Sequence, residues 1–340
     1  MKQKGLFDEA DRLRKLSELG DSLEKLNENI EWNDFQKPLS RAYKKEAKGP
    51  GGRPPYSYVM MFKILILQKI YNISDDQTEY QINDRLSFQR FIGIQLNDTV
   101  PDAKTIWHFR EGLKEAKVLE KIFKMFTDKL ERKGIITHSG SIVDATFVET
   151  PRQRNTKEEN REIKEGKIPE EWQTEKNRHK IVQKDTDARW MTKNKERHYG
   201  YKDHIKIDKK SKIIMKYSVT SAELHDSREL KNLIEKEKDR RLYGDSAYTG
   251  KEVQKCIPGK IVNRIHEKGY RNRPLTKTQK RNNTAKSRIR ARVEHVFAAM
   301  NHFGGITIRT IGIARAEIQI GLLNLAYNLT RYVYLMEAKV

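Results

Sequence analysis

The chain has 340 residues, with 69 Lys and Arg against 47 Asp and Glu, and its formal net charge is +22 at pH 7. This excess favours a polyanion as partner, nucleic acid above all, and the length allows one or two domains. The lone Cys256 excludes an intrachain disulfide and a cysteine-based zinc site, so we expect a reducing cytoplasm. The most apolar run, 58–67, is interrupted by Lys63 and too short to span a bilayer, so we expect a soluble protein.

Residues 1–50 are predicted to form an N-terminal helix and a basic linker. Apolar residues recur there at spacings of three and four, which predicts a helix packed on a core rather than a zipper. They are Leu16, Leu19, Leu23, Leu26 and Ile30. Residues 37–55 are rich in Lys, Gly and Pro, which is typical of a linker, here one able to touch a DNA backbone.

Residues 51–134 are predicted to be an all-α domain. Ser74 with Gln77 predicts a capping box, and Asp102 predicts the start of a further helix. Several short helices in this position are typical of a helix-turn-helix DNA-binding domain, in which one helix enters the major groove. Any small helical bundle would give the same pattern, so both interpretations stand.

The stretch SIVDATFVET, 141–150, predicts a buried strand with Asp144 in its middle. An aspartate there either caps or pairs with a neighbour, or belongs to a functional site. The stretch RLYGDSAY, 241–248, has the same build, with Asp245 at the end of a short apolar run. Two strands that each deliver a carboxylate are compatible with a metal site.

The intervening residues 150–198 are highly charged, with few apolar residues and no strand period. We expect a solvated insertion. Asp185 and Asp187 are possible additional metal ligands, and Arg189 with Trp190 could offer DNA a cation and a stacking surface.

The rest of the chain predicts a regular order of elements. Residues 199–220 predict a hairpin, and a helix capped near Asp226 or Ser227 follows to about 238, since a cap explains His225 and Asp226 better than a ligand pair. A strand at 260–265 and a buried helix at 314–336 complete the pattern. The order from 141 onward is strand, strand, strand, helix, strand, helix, strand, helix.

The helix around Glu294 supplies a third acid. Arg290 and Glu294 lie four residues apart and share one side of it, as a solvated ion pair or as part of a site. The segment 264–292 leading into this helix holds eleven Lys or Arg against one acid, Glu267. This basic segment favours phosphate binding over a disordered tail.

Asp144, Asp245 and Glu294 together suit phosphodiester chemistry. Mg²⁺ takes oxygen ligands from one or two carboxylates plus phosphate and water. Two such ions can activate a nucleophile and stabilise the leaving oxygen of an in-line displacement at phosphorus.

The order of elements and acids resembles the ribonuclease H-like fold of DDE transposases and retroviral integrases. Within them the chain resembles a bacterial insertion-sequence transposase of the group named after insertion sequence five. The matching stretches are IVDATFVETPRQRNT, DTDARW to YGYKDH, TSAELHDSREL, LYGDSAYTG and RARVEHVF. The resemblance implies an α/β catalytic domain at 135–340, a mixed sheet flanked by helices, with the charged insertion at 150–198 and the helical DNA-binding domain before it.

The resemblance also implies site residues. Asp144, Asp245 and Glu294 would be catalytic and would hold two Mg²⁺ ions, for which Mn²⁺ can substitute. A related insertion-sequence group carries a Tyr, Arg, Glu and Lys signature on the third-acid helix; Arg290 and Glu294 match it, but Ser287 and Asn301 stand at the Tyr and Lys positions. Lys202 is a substitute for that lysine. The expected phosphate- and DNA-binding residues are Arg290, Arg288, Arg292, Lys286, Lys202, Arg271, Arg273, Arg189 and Trp190.

The implied function is a DNA transposase that cleaves at the ends of its mobile element and joins the 3′-hydroxyl ends to target DNA. Two alternatives stay open: a non-catalytic DNA-binding protein derived from a transposase, and a structure-directed Mg²⁺-dependent nuclease. Double-stranded DNA is the expected partner, a homodimer or higher oligomer the expected assembly on it, and the bacterial cytoplasm, at the nucleoid, the expected location.

Overall fold

The structure is a computed structural model that describes residues 8–41, 55–150, 154–193, 195–305 and 307–338. The chain divides into two compact units, one of Met1–Phe123 with Leu325–Val340 and one of Lys124–Asn324. The domain limits expected at 50 and 134 stay predictions. Most of the linker expected at 37–55 lies outside the described residues.

The described part of the first unit is helical up to Phe123, as the sequence predicts. Ser74 accepts a hydrogen bond from the Gln77 amide at 3.2 Å, and Asp102 accepts one from the Thr105 amide at 2.6 Å, so both predicted caps are present. A 3₁₀ turn spans Trp32–Phe35. The helices up to residue 132 are α1 (Asp8–Glu18), α2 (Ser22–Asn29), α3 (Gln36–Leu39), α4 (Tyr58–Tyr71), α5 (Asp75–Asp84), α6 (Leu86–Ile92), α7 (Ala103–Ala116) and α8 (Leu119–Arg132).

Aromatic side chains form the centre of the first unit. The Trp32 ring contacts the Phe62 and Phe91 rings edge to face, with centroids 6.4 and 5.5 Å apart. Residues 64–67 of α4 are apolar and fully buried. A helical turn that is apolar all round must lie inside its domain, and that position explains why α4 shows no continuous polar face.

The second unit is built on a mixed sheet. Its strands are β1 (Ser141–Glu149), β2 (Arg189–Lys193), β3 (Glu196–Asp208), β4 (Ile214–Ser221), β5 (Arg241–Tyr243) and β6 (Val262–Asn263). The order is β2-β3-β1-β5-β6, with β4 paired to β3. Strands β1, β5 and β6 run parallel, whereas β2 and β4 are antiparallel to β3 and β3 is antiparallel to β1.

Side chains alternate along each strand, so each strand presents residues to both faces of the sheet. Both faces are covered. Val143 packs with Leu230 and Val253 on one face. Val148 packs with Ala316 and Ile320 on the other. The later helices are α9 (Lys157–Lys164), α10 (Lys180–Gln183), α11 (Asp226–Leu233), α12 (Lys251–Cys256), α13 (Lys277–His302) and α14 (Ile313–Glu337).

The predicted element order is confirmed, with local corrections. The hairpin, the Glu294 helix and the last helix are present, but α11 ends at Leu233 and β6 has only 2 residues. Strand β5 ends at Tyr243, so Asp245 follows the strand instead of lying on it.

Most described residues of the insertion expected at 150–198 are exposed, but the segment includes a strand that its pattern did not indicate. The segment forms α9, α10, two 3₁₀ turns (Glu170–Gln173 and Glu175–Asn177) and strand β2. Trp172 and Asn155 are each 1% exposed. The Trp172 indole donates to Glu159 at 2.7 Å, so the segment has a small core of its own.

Candidate active site

Strand β1 holds Asp144 inside the sheet. Its neighbour on one side is β3, where Asp144 lies opposite Ile205, and helix α13 crosses β1 and β5. Asp144 is 8% exposed. Its Oδ1 accepts from the Ala145 amide at 2.9 Å, and its Oδ2 accepts from Arg290 Nη1 at 2.8 Å. A buried aspartate therefore meets a guanidinium from a residue far along the chain.

Asp245 lies just beyond β5, which runs parallel to β1. Its Oδ1 accepts from the Ala247 amide at 2.8 Å and so caps the 3₁₀ turn Ser246–Tyr248. Gly244 allows this close packing: a Cβ there would lie 3.2 Å from both Tyr248 Cδ2 and Val143 Cγ2. The carboxyl ends of parallel strands share one edge of a sheet, which brings the Asp245 end of β5 beside β1.

Helix α13 brings Arg290 and Glu294 to this edge. The helix begins with a capping box of Thr276 and Gln279, and only its second half is anchored by buried apolar residues, among them Val293 and Val296. Arg290 Nη2 lies 3.5 Å from Glu294 Oε1. Its guanidinium thus contacts two acids, one buried and one whose side chain is 58% exposed.

Electrostatics tie the three acids together. Burial raises the pKa of Asp144 to about 7; the Arg290 guanidinium opposes the rise, and the Asp245 and Glu294 carboxylates add to it. Two like charges close to a buried carboxylate disfavour its ionised form. The site therefore has more negative charge than its one guanidinium neutralises.

The three acids suit a hard divalent cation in their chemistry, because Mg²⁺ selects carboxylate oxygens. Within the described part of the chain, no three His, Cys, Asp or Glu side chains are gathered closely enough to hold a metal ion. Arg290 supplies the positive charge between Asp144 and Glu294. The buried Tyr248 hydroxyl has no hydrogen-bond partner among the described residues. Burial, then the charges of Asp144, Asp226 and Asp245, raise its pKa.

Lys202 is buried and hydrogen-bonded to other groups of the protein. It is 1% exposed, and its ammonium donates to Asp226 Oδ1 and to the Leu224 carbonyl, each at 2.7 Å. His225 is the N-cap of α11 and accepts from the Ser227 amide at 3.3 Å. The predicted cap is confirmed at His225, one residue earlier than expected, and Asp226 is the counter-ion of Lys202.

The basic segment lies beside the acids, but its side chains differ in their contacts. Lys286 donates to the Ile265 carbonyl at 2.9 Å, and Arg292 donates to the Lys209 carbonyl at 2.6 Å. Arg288 is exposed on α13. Arg271 and Arg273 are exposed at a tight turn in which Tyr270 and Arg273 exchange backbone hydrogen bonds.

The four residues singled out in the insertion lie in two different environments. Asp185 accepts from the Tyr201 hydroxyl at 2.8 Å and from the Gly312 amide at 3.1 Å, and Asp187 accepts from the Ile313 amide at 2.9 Å. These aspartates cap the start of α14, which explains both without a metal. Arg189 and Trp190 line a separate pocket, described below.

Sequence reasoning missed His266 and Tyr248. The His266 amide donates to the Gly244 carbonyl at 3.1 Å, and its ring lies 3.3 Å from Ser287 Oγ. Burial, then Arg290 and Lys286, lower the pKa of His266, while Asp245 opposes them. Its position just after the predicted strand at 260–265 was the available signal, because that strand end lies at the same edge as Asp245.

Two known families match different parts of the chain. Residues 136–329, more than half of the chain, match the family described as "Transposase DDE domain". The chain belongs to this family of DDE transposases, enzymes that act on DNA. Residues 11–112 match a second family, described as "Transposase domain (DUF772)". No solved structure matches the chain.

The apolar helices were also compared with the length of a membrane span. No described helix combines the length and the hydropathy that crossing a bilayer requires.

Proposed function

We propose that this protein is an insertion-sequence transposase of the group named after insertion sequence five, with a ribonuclease H-like catalytic domain. It binds the two ends of its mobile element through the helical unit and the basic segment, cleaves there, and joins the ends to target DNA. Since two ends must be brought together, the active form on DNA is a homodimer or a higher oligomer.

One observation supports this proposal above the others. Asp144 and Arg290 are 146 positions apart and meet at 2.8 Å, with Asp245 and Glu294 close enough to raise the pKa of Asp144. Asp144 inside β1, Asp245 just beyond the parallel strand β5 and Glu294 on α13 form an unbalanced negative site, in which one guanidinium contacts Asp144 and Glu294. Such a site in a strongly basic protein suits chemistry on a phosphodiester.

Asp144, Asp245 and Glu294 would hold two Mg²⁺ ions, or Mn²⁺ in their place, which supply activation of the attacking oxygen and stabilisation of the leaving oxygen. Arg290 binds a phosphate oxygen of the strand, since a guanidinium matches phosphate geometry. Water first breaks the phosphodiester at the element end and leaves a 3′-hydroxyl. That hydroxyl then attacks a target phosphodiester, and the displaced 3′-oxygen of the target leaves with the electron pair.

The remaining basic residues position the DNA in this proposal. Arg288, Arg271 and Arg273 are exposed and can reach the backbone directly. Lys286 and Arg292 hold α13 to the loops around it through carbonyl oxygens and present their remaining donors to the strand. Contacts of this kind fix the register of a protein on DNA and carry no base sequence themselves.

The test is cleavage of labelled DNA that carries the flanking ends of the protein's own gene, with Mg²⁺ or Mn²⁺ and with a chelator. We expect metal-dependent nicks at the element boundary, joined products when target DNA is added, and neither product with Asp144→Ala, which should still bind the ends. The matched control is Glu237→Gln, which removes an exposed carboxylate that pairs with Lys260 and is not one of the three acids. Binding without cleavage under either metal would favour a non-catalytic DNA-binding protein, and cleavage without joined products would favour a nuclease.

A further inference from the structure

A second candidate site lies in the segment 150–198. A pocket of about 540 Å³ opens between α9 and strand β2, and Asn155, Asn160 and Trp190 are among its lining residues. This volume is within the roughly 300–1,000 Å³ range of small-ligand sites. None of its lining residues belongs to the group of acids around Asp144.

The pocket is strongly basic. Its lining residues include five cations and, among the described residues, no Asp or Glu: Lys157, Arg161, Lys164, Arg189 and Arg197. Glu223 lies 2.5 Å from Lys164 and 3.6 Å from Arg189 and so accounts for two of them. Lys157, Arg161 and Arg197 are exposed and form no ion pair with a described carboxylate. Cations left without carboxylates around a concave surface favour a phosphate-bearing ligand.

One wall of the pocket is aromatic. The Trp190 side chain is half-buried, and its indole N–H donates to the Asn155 carbonyl at 2.9 Å, which fixes the orientation of the ring. The Tyr199 ring supports it from the core, with centroids 5.0 Å apart. An ordered aromatic ring beside cations is the arrangement on which proteins stack single-stranded nucleobases.

Two asparagines of the lining contain unused hydrogen-bond acceptors. Asn155 donates through Nδ2 to the Asp185 carbonyl at 2.7 Å, so its Oδ1 is left as an acceptor. The Oδ1 atoms of Asn155 and Asn160 are buried and have no hydrogen-bond partner among the described residues. Buried acceptors without donors are costly, and a ligand that brings an N–H group removes the cost.

We propose that this pocket binds one unpaired nucleotide of the DNA substrate and prefers a base with an exocyclic amine, adenine, cytosine or guanine, over thymine. Arg161, Lys157 and Arg197 hold its phosphate, and the base lies against Trp190. The two N–H groups of the amine can donate to both asparagine oxygens, whereas thymine has a single N3–H, flanked by two carbonyl oxygens that these acceptors repel. The nucleotide must be unpaired, because a half-buried ring stacks only on a base that has left the duplex. The inference rests on the proposed function for the identity of the polymer.

The experiment is fluorescence anisotropy of the full-length protein with a short labelled duplex, either blunt or with a single-stranded overhang of adenines or of thymines. A chelator is present throughout, so cleavage does not contribute. We expect the adenine overhang to bind more tightly than the thymine overhang, and the blunt duplex to bind most weakly. Trp190→Ala should weaken overhang binding about tenfold. Trp190→Phe should retain most of it, and this separates stacking from loss of fold.

Further variants address the other walls. Arg161→Ala should weaken both overhangs equally, whereas Asn160→Leu should remove the difference between adenine and thymine. Lys176→Ala, which removes an exposed cation of the same segment outside the pocket, is the matched control and should change nothing. Equal binding of blunt and overhang DNA, or unchanged overhang binding by Trp190→Ala, would overturn the proposal. So would competition by inorganic phosphate as strong as that by deoxyadenosine monophosphate, which would indicate an anion site only.

These outcomes are independent of catalysis. Metal-dependent cleavage of element ends without an overhang preference would retain the proposed function and reject the nucleotide pocket. An overhang preference that depends on Trp190, in a protein that never cleaves, would retain the nucleotide pocket and reject the proposed catalytic function.

Discussion

Two ion pairs on the same sheet are built differently. Lys202 donates to one carboxylate, Asp226, and to the Leu224 carbonyl, and the lysine and aspartate side chains are 2% and 19% exposed. Arg290 instead contacts Asp144 at 2.8 Å and Glu294 at 3.5 Å, with Asp245 nearby. The first pair is matched one to one, whereas at the second a single cation is shared among acids.

The difference separates structural charge from functional charge. The Lys202–Asp226 pair holds β3 to the start of α11. Its two charges neutralise each other, so neither is available to a ligand. The pKa of Asp144 stays raised in spite of the Arg290 guanidinium. A buried carboxylate of this kind is unfavourable for folding, and it is retained where a cation or phosphate is to bind. Loss of the Lys202–Asp226 pair should therefore lower stability, whereas loss of an acid beside Arg290 should lower activity.

The largest expected change in stability comes from Asp226→Ala. It leaves the Lys202 ammonium buried without its carboxylate, which should lower the free energy of unfolding by about 3–5 kcal/mol. A thermal melt followed by circular dichroism should show a fall in Tm of about 10 °C. Glu237→Ala removes an exposed partner of Lys260 and is the control, with little change expected. Equal Tm values for the two variants would show that the Lys202 pair contributes no more than a surface pair.

Asp203→Asn should change stability in a pH-dependent way. Burial raises the pKa of Asp203 from 3.8 to about 7, and the Asn324 side-chain amide donates to its Oδ1 at 3.2 Å. The folded protein keeps this proton while the unfolded chain loses it, so the free energy of unfolding falls as the pH rises from about 4 to about 7 and stays low above that range. The variant should gain on the order of 3 kcal/mol at pH 8 and clearly less near pH 5.

The measurement is urea unfolding of both proteins at the two pH values. Asp76→Asn, at an exposed position of α5, is the control and should show no such pH dependence. A stabilisation of Asp203→Asn that is the same at both pH values would contradict a raised pKa for Asp203.

Gly244→Ala should disturb the Asp245 end of β5. The new Cβ would lie 3.2 Å from both Tyr248 Cδ2 and Val143 Cγ2, so overpacking should cost about 1–3 kcal/mol and reduce cleavage. At Gly259 an added Cβ meets nothing within 4 Å, and Gly259→Ala is the matched control. If both variants melt and cleave alike, the close approach of β5 to β1 has no role in placing Asp245.

The smallest expected change in stability, with a large change in activity, comes from Glu294→Gln. Its side chain is 58% exposed and lies 3.5 Å from Arg290, so we expect a change in the free energy of unfolding below about 1 kcal/mol. Cleavage should nevertheless be lost. A variant that cleaves normally would remove Glu294 from the site, whichever way its melting temperature moves.

Local patterns were enough to predict much of the fold. The caps at Ser74 and Asp102, the strand around Asp144 and the helix around Glu294 follow from side-chain period and capping chemistry, which act within a few residues. Strand β2 was missed because its residues are half-exposed or exposed and include charges, so they show no apolar alternation.

The pairings could not be predicted, because they join distant parts of the chain. The alternation in YGYKDHIKID places Lys202 on one face of a strand but does not show that Asp226 covers it. Arg290 was expected beside Glu294, in an ion pair or in a site that binds phosphate, and its contact with Asp144 depends on α13 crossing β1. Asp185 and Asp187 could have been metal ligands by sequence, and only the fold brings the start of α14 to them.

The acids around Asp144 are proposed to hold divalent cations. The most direct measurement is Mn²⁺ binding to the full-length protein without DNA, followed by electron paramagnetic resonance, for wild type, Asp144→Asn and the exposed-acid control Glu237→Gln. We predict that wild type and control bind Mn²⁺ and that Asp144→Asn, still folded by circular dichroism, does not. Equal Mn²⁺ binding by wild type and Asp144→Asn would contradict this account of the site.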